Sequence, residues 1–226
     1  MSTGNFKHDI FNQFARVAKA MSSGNRLELL EFLAQGERPV DALAEVSGMT
    51  LANTSQHLQQ LRLAGLVESR KEGLRVYYRL SGDDVVDLLK GLRQVAERHL
   101  AEVNLLVRDY LSSRDALEPI PRAELLSRAR EGLVMVLDVR PAEEFAAGHL
   151  PGAVNIPLGE LEGHLEEFGP DREIVAYCRG PHCILAFEAV ARLRAQGLQA
   201  RRLQDGFPEW KSSGLPVEQG SGPDSA

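Results

Sequence analysis

Apolar residues recur at helical spacing through residues 5–20 (Phe6, Ile10, Phe14, Val17, Ala18) and again through 26–34 (Leu27, Leu29, Leu30, Leu33), predicting two helices, the second ended by Gly36. Pro39 opens a short helix through Val46, Gly48 closes it, and Thr50 is a natural N-cap for another helix reaching Ala64. A helix, a short Gly-containing turn and a second helix make a helix-turn-helix outline. Leu51, Leu58 and Leu61 are expected on the core face of the second of these. Segments 66–70 and 75–80 read as strands of a hairpin joined by 71–74. Asp83 and Asp84 then introduce one long helix over 85–110, whose Leu88, Leu89, Leu92, Val95, Leu100, Val103 and Val107 form an apolar face that calls for a partner, read as a second copy of the chain.

Residues 112–121, SSRDALEPIP, have the polar, Pro-containing composition of a linker, and the domain boundary is placed there. Beyond it helix and strand patterns alternate: a helix over 122–130, strand 133–139, helix 142–147, strand 153–155, helix 158–167, strand 174–178, helix 184–196 and strand 200–203. Such alternation predicts a parallel sheet with helices on both faces. The expected division is a first domain over 1–112, a linker over 113–120, a second domain over 121–219 and a disordered tail over 220–226.

At 226 residues the chain is long enough for two ordinary domains. No apolar run approaches the roughly 18 residues that span a bilayer, and residues 1–10 carry no export signal, so a cytoplasmic protein without membrane association is expected. The net charge of -6 argues against a nucleic-acid binder until it is divided: residues 1–113 hold 14 basic and 14 acidic side chains, leaving the excess acid to the second half. Within 50–80, Arg62, Arg70, Lys71, Arg75 and Arg79 face only Glu68 and Glu72. The only two cysteines, Cys178 and Cys183, sit five residues apart, which suits a reactive site better than a secreted disulfide scaffold.

A helix that reads DNA presents amides and hydroxyls to the major groove, and Asn53, Thr54, Ser55, Gln56, His57 and Gln59 supply them. Arg62 and the hairpin's Arg70, Lys71 and Arg75 are placed for phosphates, which position a protein without reading sequence. NRLELLEFL, LAEVSGMTLANTSQHLQQLRLAGLVESRKEGLRVYYRL and the long final helix together resemble the ArsR/SmtB family of dimeric winged-helix repressors over about residues 6–110. The resemblance implies a homodimer, held by the N-terminal helix and helix 85–110, on double-stranded operator DNA of two-fold symmetry. Where an arsenic-sensing member of that family carries two cysteines, residues 37–43 read ERPVDAL, so the soft-metal sensor is absent. His99 and Glu102 resemble half of the family's zinc site, but Val86 and Leu88 occupy the partner positions, and no metal or other cofactor is expected.

Cys178 follows the apolar strand and precedes a helix, in the loop CRGPHC. Backbone N–H groups and a positive helix end near its sulfur favour the thiolate, and Arg179 adds positive potential. LDVRPAEEFAAGHLPGAVNIPLGEL, YCRGPHC and LQDGFPEWKSSGLPV, in that order, resemble the rhodanese domain over about residues 118–217. The resemblance implies that Cys178 takes the outer sulfur of a small sulfur donor as a persulfide and passes it to a thiol acceptor, with Arg179, Gly180 and His182 in its loop. Asp138 and Arg140, in the first motif, are read as holding the loop by ion pairing, His149 as meeting a local hydrogen bond, and Trp210 as core packing. In the commonest family pattern an arginine at the sixth loop position binds the anionic end of thiosulfate. Cys183 stands there and Pro181 removes an N–H donor, which points to organic persulfides or polysulfides and leaves Cys183 as either a resolving thiol or a small residue that merely starts the helix.

The expected fold is therefore a mainly-α winged helix-turn-helix domain followed by an α/β rhodanese-like domain with a parallel sheet flanked by helices. The expected function is a DNA-binding repressor whose second domain carries or senses sulfane sulfur on Cys178. Two alternatives stay open: a sulfurtransferase that the DNA-binding domain only localises or dimerises, and a catalytically idle rhodanese-type binding module on a repressor.

Overall fold

A computed structural model describes residues 3–109, 119–169 and 172–220. The chain divides into two compact units, Met1–Leu89 and Lys90–Ala226. The expected linker up to residue 118 and the expected tail from residue 221 lie outside the described residues.

The first unit holds helices α1 (Thr3–Met21), α2 (Gly24–Leu33), α3 (Val40–Ser47) and α4 (Leu51–Leu63) with three short strands, β1 (Arg38–Pro39), β2 (Val67–Glu72) and β3 (Arg75–Leu80). Gly48 closes α3 at φ 66°, in the left-handed region that a Cβ disfavours. Thr50 caps α4, its side chain accepting from Asn53 N at 3.3 Å. Strands β2 and β3 pair antiparallel from Val67–Leu80 to Glu72–Arg75, so the hairpin turns on Gly73 and Leu74 alone, a tighter turn than the sequence suggests. Strand β1, which the sequence does not announce, pairs Arg38 and Pro39 with Tyr78 and Tyr77. Leu29, Leu30, Leu33, Leu43, Leu58, Leu61, Val67, Tyr78 and Val85 form one core. On α1, Phe6, Phe11 and Phe14 stay exposed.

The long helix expected over 85–110 is interrupted. Helix α5 (Asp84–His99) ends before Leu100, whose extended backbone (φ -105°, ψ 106°) caps α6 (Ala101–Val107). Asn104 Nδ2 donates to Glu97 O at 2.8 Å, supplying a partner for one of the carbonyls that a helix end leaves open. Leu89 packs on the first core, while Leu88, Leu92 and Val95 are exposed. Among the described residues no helix is long and apolar enough to cross a membrane.

The second unit is built on a four-stranded, all-parallel sheet in the order β5-β4-β6-β7: β4 (Val134–Asp138), β5 (Val154–Asn155), β6 (Glu173–Tyr177) and β7 (Ala200–Arg202). Residues along β6 alternate between two cores. Ile174, Ala176 and Cys178 face one that contains Ala189, Val190 and Leu193 of α9 (Ile184–Ala195). Val175 and Tyr177 face the other, with Leu125 of α7 (Arg122–Arg130) and Phe207 and Trp210 of α10 (Phe207–Ser212). A sheet covered on both faces requires continuously apolar strands, which is how β4 and β6 read. Helix α8 (Ala142–Ala147) follows β4, and the helix expected over 158–167 is a 3-10 helix, Leu161–Glu167. Ile120, fully buried, bridges Leu203 beyond β7. At the other end the chain returns as a strap: Glu218 exchanges both backbone hydrogen bonds with His149, Gly220 N donates to Ala146 O, and Trp210 Nε1 donates to Pro216 O.

Candidate functional site

On α4, Asn53, Gln56 and Gln59 are exposed, with Ser55 half-buried beside them. Thr54 is not available as a base reader: it is fully buried and its hydroxyl donates to Thr50 O at 3.0 Å. His57 is half-buried, with Nδ1 inside and without a hydrogen-bond partner. Leu51, expected in the core, is exposed because it opens the helix, and Thr54, Leu58 and Leu61 make the buried face instead. The arginines of the hairpin are held by carboxylates, Arg70 by Glu37 and Glu72, Arg75 by Asp41, and Arg79 by Glu68, while Lys71 is exposed and Arg62 Nη1 donates to Ser69 Oγ. Arg70 is held firmly protonated by the two carboxylates it bonds. Most of these groups are exposed, and exposed pairs of this kind contribute little to stability.

In the second unit, β4 and β6 are neighbours and both deliver a polar residue at their C-terminal ends, the edge of a parallel sheet where ligands bind. Strand β6 runs into Cys178, which is 1% exposed and bonded to Cys183 as a disulfide across a Cα–Cα distance of 6.2 Å. Cys183 is the N-cap of α9, and its N–H donates to Gly180 O at 3.1 Å, tightening the loop. Cys178 O accepts from Phe207 N at 3.0 Å. His182, between Pro181 and Cys183, sets Nε2 3.2 Å from Glu97 Oε1 of α5, within the same unit. Burial is the main cause of a lowered His182 pKa, with Glu97 opposing it and Arg93 and Arg202 adding to it, so the ring favours its neutral form.

The segment after β7 fixes the loop from the other side. A Cβ on Gly206 would overlap backbone atoms of Arg179 and Gly180. Gly206 N donates to Glu209 Oε2 at 3.1 Å, and Glu209, nearly fully buried, pairs through Oε1 with Arg93 Nη1 at 2.8 Å.

The description "Bacterial regulatory protein, arsR family" matches residues 23–69, and "Rhodanese-like domain" matches residues 122–213. The HTH-type transcriptional regulator Rv0324 of Mycobacterium tuberculosis is 49% identical over 215 residues, which cover 95% of this chain and 94% of that one. The chain belongs to the ArsR-family transcriptional regulators and carries a rhodanese-like domain. A protein named sulfurtransferase from Allochromatium vinosum is 32% identical over 85 residues, 37% of this chain and 78% of its own. The solution structure of a homodimeric winged helix-turn-helix DNA-binding domain from Mycobacterium bovis is 46% identical, covering 44% of this chain and 93% of its own, with a TM-score of 0.41.

In this ArsR-family regulator the residues singled out around Cys178 do not all meet at the sulfur. Arg179, expected to add positive potential, gives its guanidinium to Glu144: Nε lies 3.0 Å from both carboxylate oxygens and Nη2 lies 2.6 Å from Oε1, with Glu144 fully buried. The pair is close to neutral, so Arg179 tethers the loop to α8 rather than charging it. Asp138 and Arg140, both fully buried, bind each other through three side-chain hydrogen bonds, the shortest 2.6 Å; Arg140 also donates to Gly148 O. His149 Nδ1 meets Phe145 O at 2.9 Å and the ring stacks on Phe145, while Trp210 is core. Glu209, Arg93 and Glu97 were not singled out in the sequence. Only the position of Glu209, three residues after Gly206, offered a signal: it is the acceptor half of a capping box, glycine having no side chain to complete the other half.

Proposed function

We propose that this regulator is a homodimeric repressor whose hold on a two-fold symmetric operator is set by sulfane sulfur carried on Cys178. The reading rests on where the thiols are. The chain has two cysteines, both in one loop of the rhodanese-like domain, so thiol chemistry available to the regulator is confined to that loop. A nucleophilic cysteine at the end of a buried strand and before a helix suits covalent sulfur transfer. Asn53, Ser55, Gln56 and Gln59, with part of His57, would read bases, while Arg62, Arg70, Lys71 and Arg75 would meet phosphates. The exposed Phe6, Phe11 and Phe14 of α1 and Leu88, Leu92 and Val95 of α5 are apolar surface of the kind a second copy covers, in a cytoplasmic dimer.

Sensing requires that loading Cys178 change operator affinity by a coupling of about 1–3 kcal/mol. The test is operator affinity of reduced and persulfide-loaded protein at one salt concentration. A difference supports the sensor; equal affinities remove it. A second reading, in which sulfur transfer to a thiol acceptor is the function and the DNA-binding domain localises the enzyme, is favoured by the similarity to the Allochromatium sulfurtransferase. It predicts turnover with a persulfide donor and no binding to the chain's own promoter region.

A further inference from the structure

We infer that the loop is a dithiol that reduces sulfane sulfur to sulfide, with Cys183 resolving the persulfide on Cys178 and the disulfide as the product; this rests on Cys178 being the carrier. The first observation is the disulfide itself. It brings the two sulfurs into bonding contact inside a six-residue loop, so Cys183 reaches the inner sulfur of a Cys178 persulfide without any other element of the fold.

The second observation is the loop's charge. Arg179 is neutralised by buried Glu144, Arg93 by buried Glu209, and Arg140 by buried Asp138, while residue 181 is a proline with no N–H. Each of these three arginines already has a carboxylate, leaving Arg202, stacked over the Phe187 ring, as the further cation that acts on His182, so the loop offers a dianionic donor such as thiosulfate less positive charge than its arginines suggest. It suits an organic hydropersulfide or a polysulfide, whose reacting sulfur carries at most one charge.

The chemistry closes without a further reagent. The Cys178 thiolate attacks the outer sulfur of RSSH; the donor S–S bond breaks, RS⁻ leaves and takes a proton as RSH, and Cys178 holds S–SH. The Cys183 thiolate then attacks Cys178 Sγ, forming the disulfide and expelling HS⁻. In sum, RSSH and two cysteine thiols give RSH, H₂S and one disulfide: the sulfane sulfur gains two electrons and the dithiol loses two. A low-molecular-weight thiol or dithiol restores the pair. Its point of entry is Cys183, the more exposed of the two, because Cys178 is buried in the disulfide form.

The experiment uses the full-length protein, reduced and freed of reductant, mixed with glutathione persulfide and quenched over time. Wild type is expected to release one sulfide per chain and to lose the mass of the two thiol hydrogens at the same rate. Cys183→Ser, which places a favoured N-cap residue at the start of α9 and so keeps the helix start, is expected to stop as a Cys178 persulfide, heavier by one sulfur, with the sulfide burst lost. If Cys183→Ser releases sulfide as fast as wild type, or wild type keeps a stable persulfide, the resolving step is overturned while the carrier stands. If neither protein takes up sulfur at Cys178, the carrier reading falls and this one with it. Rapid quench of wild type alone, with sulfide release separated in rate from disulfide formation, also overturns the proposal, whatever the variant does.

Discussion

Gly206 lies so close to Gly180 that a Cβ on it would come within 2.5 Å of Gly180 Cα. Its backbone, at φ -104°, is open to any residue, so the demand for glycine here is purely steric. Gly206→Ala is therefore expected to push the Cys178 loop off Phe207 N. Overpacking of this kind costs about 1–3 kcal/mol. The urea midpoint should fall and sulfur uptake at Cys178 should slow in the same variant; a slower uptake without lost stability would also fit, whereas wild-type values of both would contradict the packing argument.

The Asp138–Arg140 pair is buried on both sides and ties β4 to Gly148. Asp138→Asn leaves a guanidinium inside without its counter-charge, and breaking a buried pair from one side costs about 3–5 kcal/mol. Chemical denaturation should show that loss, whereas an equal change at an exposed pair such as Arg79–Glu68 should barely register.

On the DNA side, three substitutions in one stretch should separate into three phenotypes. Gln56→Ala, exposed on α4, should cost about 1–3 kcal/mol of operator affinity and relax preference at one base position. Lys71→Ala should weaken all DNA alike and lower the salt slope by about one. Thr54→Ala should reduce stability, because its hydroxyl is buried against Thr50 O. Binding isotherms at several salt concentrations, paired with thermal melts, distinguish them.

His182 titrates below the ordinary histidine value of 6.5 because burial disfavours the charged ring. The unfolded chain then binds this proton more tightly than the folded one. The stability tied to this site is complete above pH 6.5 and is lost as pH falls through the lower folded value. Imidazole NMR should place the midpoint below 6.5, and Glu97→Gln, by removing the stronger of the two carboxylates that raise it, should move it lower still.

Long-period patterns carried the architecture. The apolar runs in β4 and β6 and the amphipathic helices between them fixed a covered parallel sheet, and Thr50 and Gly48 marked the turn before α4. The break at Leu100 was not legible, since apolar residues continue on both sides of it and neither Gly nor Pro marks it; beside the break, Asn104 Nδ2 bonds Glu97 O. The burial of Thr54 was legible in principle, because 54, 58 and 61 stand at one helical face, but a run of polar neighbours concealed it. The Arg179–Glu144 and Arg93–Glu209 pairs join residues far apart in sequence, so local pattern carries no trace of either.

The match to the rhodanese description stops at residue 213, yet the chain is still stitched to the domain at Glu218 and Gly220. Anyone trimming this domain to its recognised limits would unzip His149 and strip Trp210 Nε1 of its acceptor, exposing a tryptophan-lined seam. The working C-terminal boundary for an isolated domain is therefore Gly220.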